Sequence, residues 1–184
     1  MNMTDYKDSV NSLLESVRKV ADSVKQKDLD ALIDAVLSGN KIFIYGSGRS
    51  GLVGQYFAVR LVQLGCDDVH FVGDMTTPII GKDDVVILIS NTGETMSAVQ
   101  TANIARRMGA NVISVTAAKM SKLAHASNSV VFLNTNVEYD RGLLPLGTLF
   151  EDAVVAMFDG MIPLLMERMG VTEDDMRKRH AIWV

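Results

Sequence analysis

The 184 residues suffice for one domain with a sizeable core, and a composition that is 48% apolar and 22% charged is that of an ordinary globular protein. A formal net charge of -4 without any basic block argues against nucleic acid as the main partner. The single cysteine, Cys66, excludes an intrachain disulfide and a Cys-cluster metal site, and fits a reducing cytoplasm. The N-terminus lacks the basic-then-apolar pattern of a signal peptide, and no apolar run approaches the roughly 18 residues needed to span a membrane. A cytoplasmic protein with no membrane partner is therefore expected.

Along the chain, Val10, Leu13, Leu14, Val17, Val20, Ala21 and Val24 fall at helical spacing and predict a helix over 5–24. A second helix is expected over 28–38, stopping at Ser38-Gly39-Asn40. The pattern then alternates. A strand at 41–45 precedes a helix at 50–64 ended by Gly65, and a short strand follows at 69–72. A strand at 84–90 leads to a helix at 94–108 ended by Gly109. A strand at 111–116, a helical turn near 120–126 and a strand at 129–133 come next. The stretch 147–168 reads as a helix that Pro163 kinks or splits, and a last short helix starts at Thr172. Strand–helix alternation predicts an α/β fold: a three-layer αβα sandwich around a five-stranded parallel sheet. The expected strand order is 2-1-3-4-5. A helical segment, 1–38, precedes the core, 39–184, within one domain.

Two turns carry the chemistry. Each follows an apolar strand and precedes a helix. The first is Gly46-Ser47-Gly48-Arg49-Ser50-Gly51 and the second is Ser90-Asn91-Thr92-Gly93-Glu94-Thr95. A helix N-terminus offers unpaired N–H groups and the positive end of a dipole, glycine admits a close anion, and hydroxyls add donors. With order 2-1-3-4-5 the strand order reverses between the first and third strands, where ligands of such sheets sit. Both turns flank that crevice, so one phosphorylated ligand held between them is expected. The first turn also fits the G-x-G-x-x-G dinucleotide fingerprint, with Asp74 able to imitate the ribose-binding acid. Alone it supports a nucleotide as well as a sugar phosphate. The second turn favours the sugar phosphate, because a dinucleotide fold does not require it.

Ser47, Gly48, Arg49, Ser50, Ser90, Asn91, Thr92, Gly93, Glu94 and Thr95 are the candidate binding residues. Arg49 suits a phosphate or sugar hydroxyl, or a salt bridge to a nearby acid. Glu94 suits a sugar hydroxyl, or merely complements a helix dipole. By spacing, Thr148-Leu149-Phe150-Glu151 is a capping box with Glu151 as its third-position partner. His180 reads as a surface histidine near a helix C-terminus. His70 and His125 have no supporting pattern. The apolar chain end Ile182-Trp183-Val184 suggests burial against another subunit, and the eleven methionines suggest core and subunit contacts.

At these turns the sequence resembles the sugar isomerase (SIS) domain family, whose Ser-x-Ser-Gly-x-Thr phosphate motif matches Ser90 to Thr95 with Thr92 in place of the second serine. More narrowly it resembles the single-domain hexulose-phosphate isomerase branch. The residues carrying that likeness are Gly46 to Gly51, Thr76-Thr77-Pro78, Pro145 to Glu151 and Lys178-Arg179-His180. The resemblance implies interconversion of D-arabino-hex-3-ulose 6-phosphate and D-fructose 6-phosphate, a step of the ribulose monophosphate pathway of formaldehyde fixation. It implies no metal and no redox or other cofactor. It makes Glu151 the catalytic base and His180 an aid to ring opening or proton shuttling. It also implies a homo-oligomer, a tetramer, in which the C-terminal tail reaches a neighbour's crevice. Alternatives are another SIS isomerase, acting on a heptose or pentose phosphate, or a non-catalytic sugar-phosphate sensor. Sensors of this fold usually carry a regulatory domain, for which 184 residues leave no room.

Overall fold

The computed structural model describes residues 5–180, and the apolar end Ile182-Trp183-Val184 lies outside them, as do the first four residues. Five parallel strands form one sheet in the order β2-β1-β3-β4-β5, as the alternation predicts. They are β1 (Ile42–Gly46), β2 (Val69–Phe71), β3 (Val85–Ile89), β4 (Asn111–Thr116) and β5 (Ser129–Phe132). The helices are α1 (Tyr6–Ser23), α2 (Gln26–Ser38), α3 (Arg49–Leu64), α4 (Met96–Arg107), α5 (Lys122–His125), α6 (Thr148–Met169) and α7 (Glu173–Lys178). Among the described residues no helix is long and apolar enough to cross a membrane.

Every residue of β3 is buried, which is why its sequence is an unbroken apolar run rather than an alternating one. Successive side chains go to opposite layers. Ile42, Ile44, Ile87 and Ile89 join α2, α3 and α6, with Val20 of α1, in the larger core. Phe43, Val86, Leu88 and Val112 face α4 and α5 in the smaller one. Phe57 of α3 stacks on Phe158 of α6 with ring centroids 3.9 Å apart, both rings fully buried. The chain therefore leaves β1 toward one layer and β3 toward the other, opening a crevice between their C-terminal ends.

Element boundaries move where caps decide them. α4 starts at Met96, with Thr95 as N-cap, so Glu94 precedes the helix. β2 stops at Phe71; Val72 N still donates to the Ile44 carbonyl at 2.9 Å, and Val72 makes an isolated bridge to Asp74. α6 runs without a break through Pro163. α7 starts as expected, with Thr172 and Asp175 in a reciprocal capping box. Arg179 donates to the Leu64 carbonyl at 3.2 Å, a cation on the C-terminal carbonyls of α3. Burial, helped by Asp67, pushes the Cys66 thiol up, so it is a poor nucleophile at neutral pH.

Candidate active site at the strand-order reversal

β1 and β3 pair in a register that sets Gly46 opposite Ile89. The two sequence-predicted turns thus begin side by side. In the first turn the outer glycines interlock. A Cβ on Gly46 would lie 2.6 Å from the Ser50 carbonyl group, and one on Gly51 would lie 2.5 Å from the Gly46 oxygen. Gly48 caps α3 with φ 58, and nothing lies within 4 Å of where its Cβ would be. The first two therefore hold the loop against its own helix, while Gly48 faces open space.

The second turn is braced from inside. Ser90 is buried; its Oγ shares a 2.9 Å hydrogen bond with Thr95 Oγ1 and accepts from Gly93 N at 3.2 Å. Glu94 N donates to Thr92 Oγ1 at 3.2 Å. Ser121, the N-cap of α5, sits where a Gly93 side chain would be. The amides of Gly48, Thr92 and Thr95 donate to no protein acceptor among the described residues. Those unpaired donors from two helix entrances face a crevice suited to an anion.

A third segment enters the crevice at the start of α6. Leu146 and Gly147 both take left-handed backbone, with φ 50 and 75. A Cβ on Gly147 would meet Arg49 Nη2 at 3.2 Å, Asn91 Nδ2 at 3.4 Å and Glu151 Oε2 at 3.9 Å. Residues from both turns and from α6 thus converge within one contact distance. Gly147 lay within a motif the sequence singled out, yet nothing in its spacing marked it as the meeting point.

The capping-box reading of Glu151 is overturned. The N-cap of α6 is Gly147, with no side-chain cap, and Thr148 Oγ1 donates instead to the Pro145 carbonyl at 2.6 Å. Glu151 turns into the crevice. Its Oε1 accepts from Ser50 Oγ at 3.0 Å, and its Oε2 lies 3.1 Å from Arg49 Nη2. Distance makes the second contact an ion pair, but Oε2 is buried and accepts no aligned hydrogen bond. Arg49 Nη2 also donates to the Leu146 carbonyl. Of its two sequence readings, the salt bridge to an acid is the one seen, and the acid is Glu151. Burial raises the adjacent Asp152 carboxyl, with Arg49 opposing.

Glu94 turns away from the crevice. Its carboxylate accepts from Lys122 N at 3.0 Å and pairs with Lys122 Nζ at 2.9 Å. Those bonds hold its carboxyl below the usual range. Asp74, the would-be ribose ligand, is exposed beyond β2. His180 is exposed at the end of α7, in a groove of about 580 Å³ lined with Arg60, Asp159, Met176 and Arg177. Within one chain it stands at the opposite end of α3 from Glu151. His70 contacts Asp68 and His125 bonds the Ser121 carbonyl, both away from the crevice. Among the described residues no group of three or more His, Cys, Asp or Glu could hold a metal ion.

Fold and crevice together define an α/β protein of the doubly wound, phosphate-turn class. A family model described as the SIS domain matches residues 36–157. A Methanocaldococcus jannaschii protein named 3-hexulose-6-phosphate isomerase is 38% identical over 156 residues, 83% of this chain and 82% of its own. A Bacillus subtilis protein of the same name is 32% identical over 187 residues, covering 98% of both chains. A Methanococcus jannaschii protein, whose crystal structure infers a molecular function of 3-hexulose-6-phosphate isomerase, superposes with a TM-score of 0.82. It is 34% identical, over 96% of this chain and 97% of that one. The chain belongs to the SIS domain family.

Proposed function

We propose that this protein is a hexulose-phosphate isomerase that interconverts D-arabino-hex-3-ulose 6-phosphate and D-fructose 6-phosphate. The observation that carries the reading is the convergence of Arg49, Asn91 and Glu151 beside two turns with unpaired amides. The full-length likeness to proteins of that name supports the substrate. The phosphate is held by the amides and hydroxyls of Ser47, Gly48, Asn91, Thr92 and Thr95. Remote phosphate binding aligns the carbon chain with the base. Glu151 Oε2 removes the proton from C2, leaving a cis-enediolate. Arg49 and Asn91 stabilise the developing oxygen charge. A proton returned at C3, with transfer of the O2 proton to O3, leaves the carbonyl at C2. The reaction is an internal redox exchange and draws on no metal, nucleotide or other cofactor.

An NMR assay with a panel of 3-hexulose, pentose and heptose phosphates tests this. The 3-hexulose 6-phosphate is expected to turn over fastest. Faster conversion of a pentose or heptose phosphate would move the assignment to another isomerase. Binding without any turnover would make the protein a sensor.

The same reading includes a homo-oligomer. α3 exposes Leu52, Tyr56 and Val59, at 65%, 40% and 56%, along one stripe. Tyr56 and Arg60 both bond Asp159 of α6, at 2.6 and 3.2 Å, stiffening the surface behind that stripe. At about 1.5 Å per residue, α3 separates its two ends by roughly 22 Å. A second copy packed antiparallel along α3 brings its own His180 toward this crevice, which a two-fold interface permits. Light scattering is expected to show an assembly at micromolar concentration. A fully active monomer would refute both the assembly and the shared site.

A further inference from the structure

Resting on that reading of Glu151, we infer that Ser50 is a positioning residue for the base rather than a ligand of the phosphate. A serine hydroxyl has one proton to donate. Ser50 directs it to Glu151 Oε1 at 3.0 Å, a contact between residues 101 positions apart. The hydroxyl then presents only lone pairs to any approaching phosphate, which is a poor arrangement for an anion. Ser50 is 8% exposed and the Glu151 side chain 14%, so the bond is made with little competition from water.

The glycines of the first turn acquire a second purpose from this. The strand end at Gly46 lies directly against the Ser50 carbonyl, at a distance no Cβ tolerates, and Gly51 closes the contact from the other side. Ser50 therefore has little freedom to shift along the helix axis. Glu151 is held equally firmly from its own side, because Leu149 and Phe150 are each 1% exposed in the core. Between these two fixed backbones the hydroxyl selects which carboxylate oxygen is engaged. Oε1 is tied to Ser50. Oε2 is left with no aligned hydrogen bond, beside Arg49 and the Gly147 backbone. The glycine-rich turn thus carries out two tasks on opposite sides of one loop. The Gly48 amide faces the anion, and Ser50 faces the base.

The test is a kinetic comparison of Ser50→Ala and Ser50→Thr, with inorganic phosphate as a competitive probe of the anion site. Losing a hydrogen bond to a charged group corresponds to about ten- to hundredfold. Ser50→Ala is expected to lower kcat by that factor, with KM and the phosphate inhibition constant unchanged. Ser50→Thr, which keeps the hydroxyl, is expected to restore most of the loss. In a Glu151→Gln background, Ser50→Ala is expected to cost nothing further, because its effect passes through the carboxylate. A rise in KM and in the phosphate inhibition constant with kcat intact would overturn the inference and return Ser50 to the phosphate. Kinetics of Ser50→Ala identical to the parent would overturn it too. If Glu151→Gln alone turns over like the parent, the reading of Glu151 fails instead, so the two failures are distinguishable.

Discussion

Glu151→Gln is expected to abolish isomerisation while leaving the fold and sugar-phosphate binding in place. The amide keeps the length and most of the volume of the carboxylate. Its carbonyl oxygen can still accept from Ser50 Oγ, which now bonds Glu151 Oε1 at 3.0 Å. What disappears is the negative oxygen beside Arg49 Nη2. That pair contributes little to stability, since the Arg49 side chain is 51% exposed and its charge is largely solvated. Neither is a helix cap lost, because Gly147 starts α6 without help from Glu151. An amide cannot take the C2 proton, so kcat should fall by at least ~10²-fold, the low end for a general base. KM should stay within a few-fold, because the unpaired amides of the two turns are untouched. The decisive measurement is solvent deuterium incorporation at C2 and C3 of the sugar, followed by NMR. Parental exchange in the variant would exclude Glu151 as the base and direct the search to His180.

Gly93→Ala should damage both stability and substrate binding. The residue has φ 63, a left-handed conformation that costs a side-chain-bearing residue about 1 kcal/mol or more. The added Cβ would also fall 2.1 Å from Ser121 Oγ and 2.5 Å from Ser121 Cβ. Those atoms belong to the N-cap of α5, where Ser121 Oγ accepts from Ala124 N at 3.2 Å, so they cannot retreat freely. Overpacking of this kind costs about 1–3 kcal/mol, giving a combined loss of roughly 2–4 kcal/mol. The turn must move toward the crevice, and that breaks the bond from Gly93 N to Ser90 Oγ. Denaturant unfolding should show the stability loss, and KM should rise at least tenfold. An unchanged midpoint and KM would mean that the turn yields more easily than its packing indicates.

Ser121→Ala in the Gly93→Ala background relieves the closer of the two overlaps, and partial recovery of stability would locate the strain at that contact.

Local patterning made much of this architecture legible. The apolar runs at Ile42–Gly46 and Val85–Ile89, each ending in a glycine- and hydroxyl-rich turn, announce two buried parallel strands feeding two helices. The order 2-1-3-4-5 is the common one for a doubly wound sheet of this kind, whose parallel strands are joined by right-handed crossovers. The crevice between the first and third strands follows from that order alone. These are effects of short range in the chain: backbone conformation, periodicity and turn chemistry act over a few residues.

Side-chain direction at the site was decided elsewhere. Spacing made Glu151 a capping partner, since Thr148 stands three residues before it, but Ser50 and Arg49 reach it across about a hundred residues. Glu94 belonged by position to the phosphate turn, and Lys122, 28 residues later, draws it away to α5. Arg49 was open to two partners until the left-handed turn at Leu146 and Gly147 delivered Glu151 and a carbonyl to its guanidinium. A local motif restricts where a backbone can go. The last rotamers of a charged side chain follow from whichever opposite charge or hydrogen-bonding group the folded chain carries to it, and only tertiary packing brings those groups together.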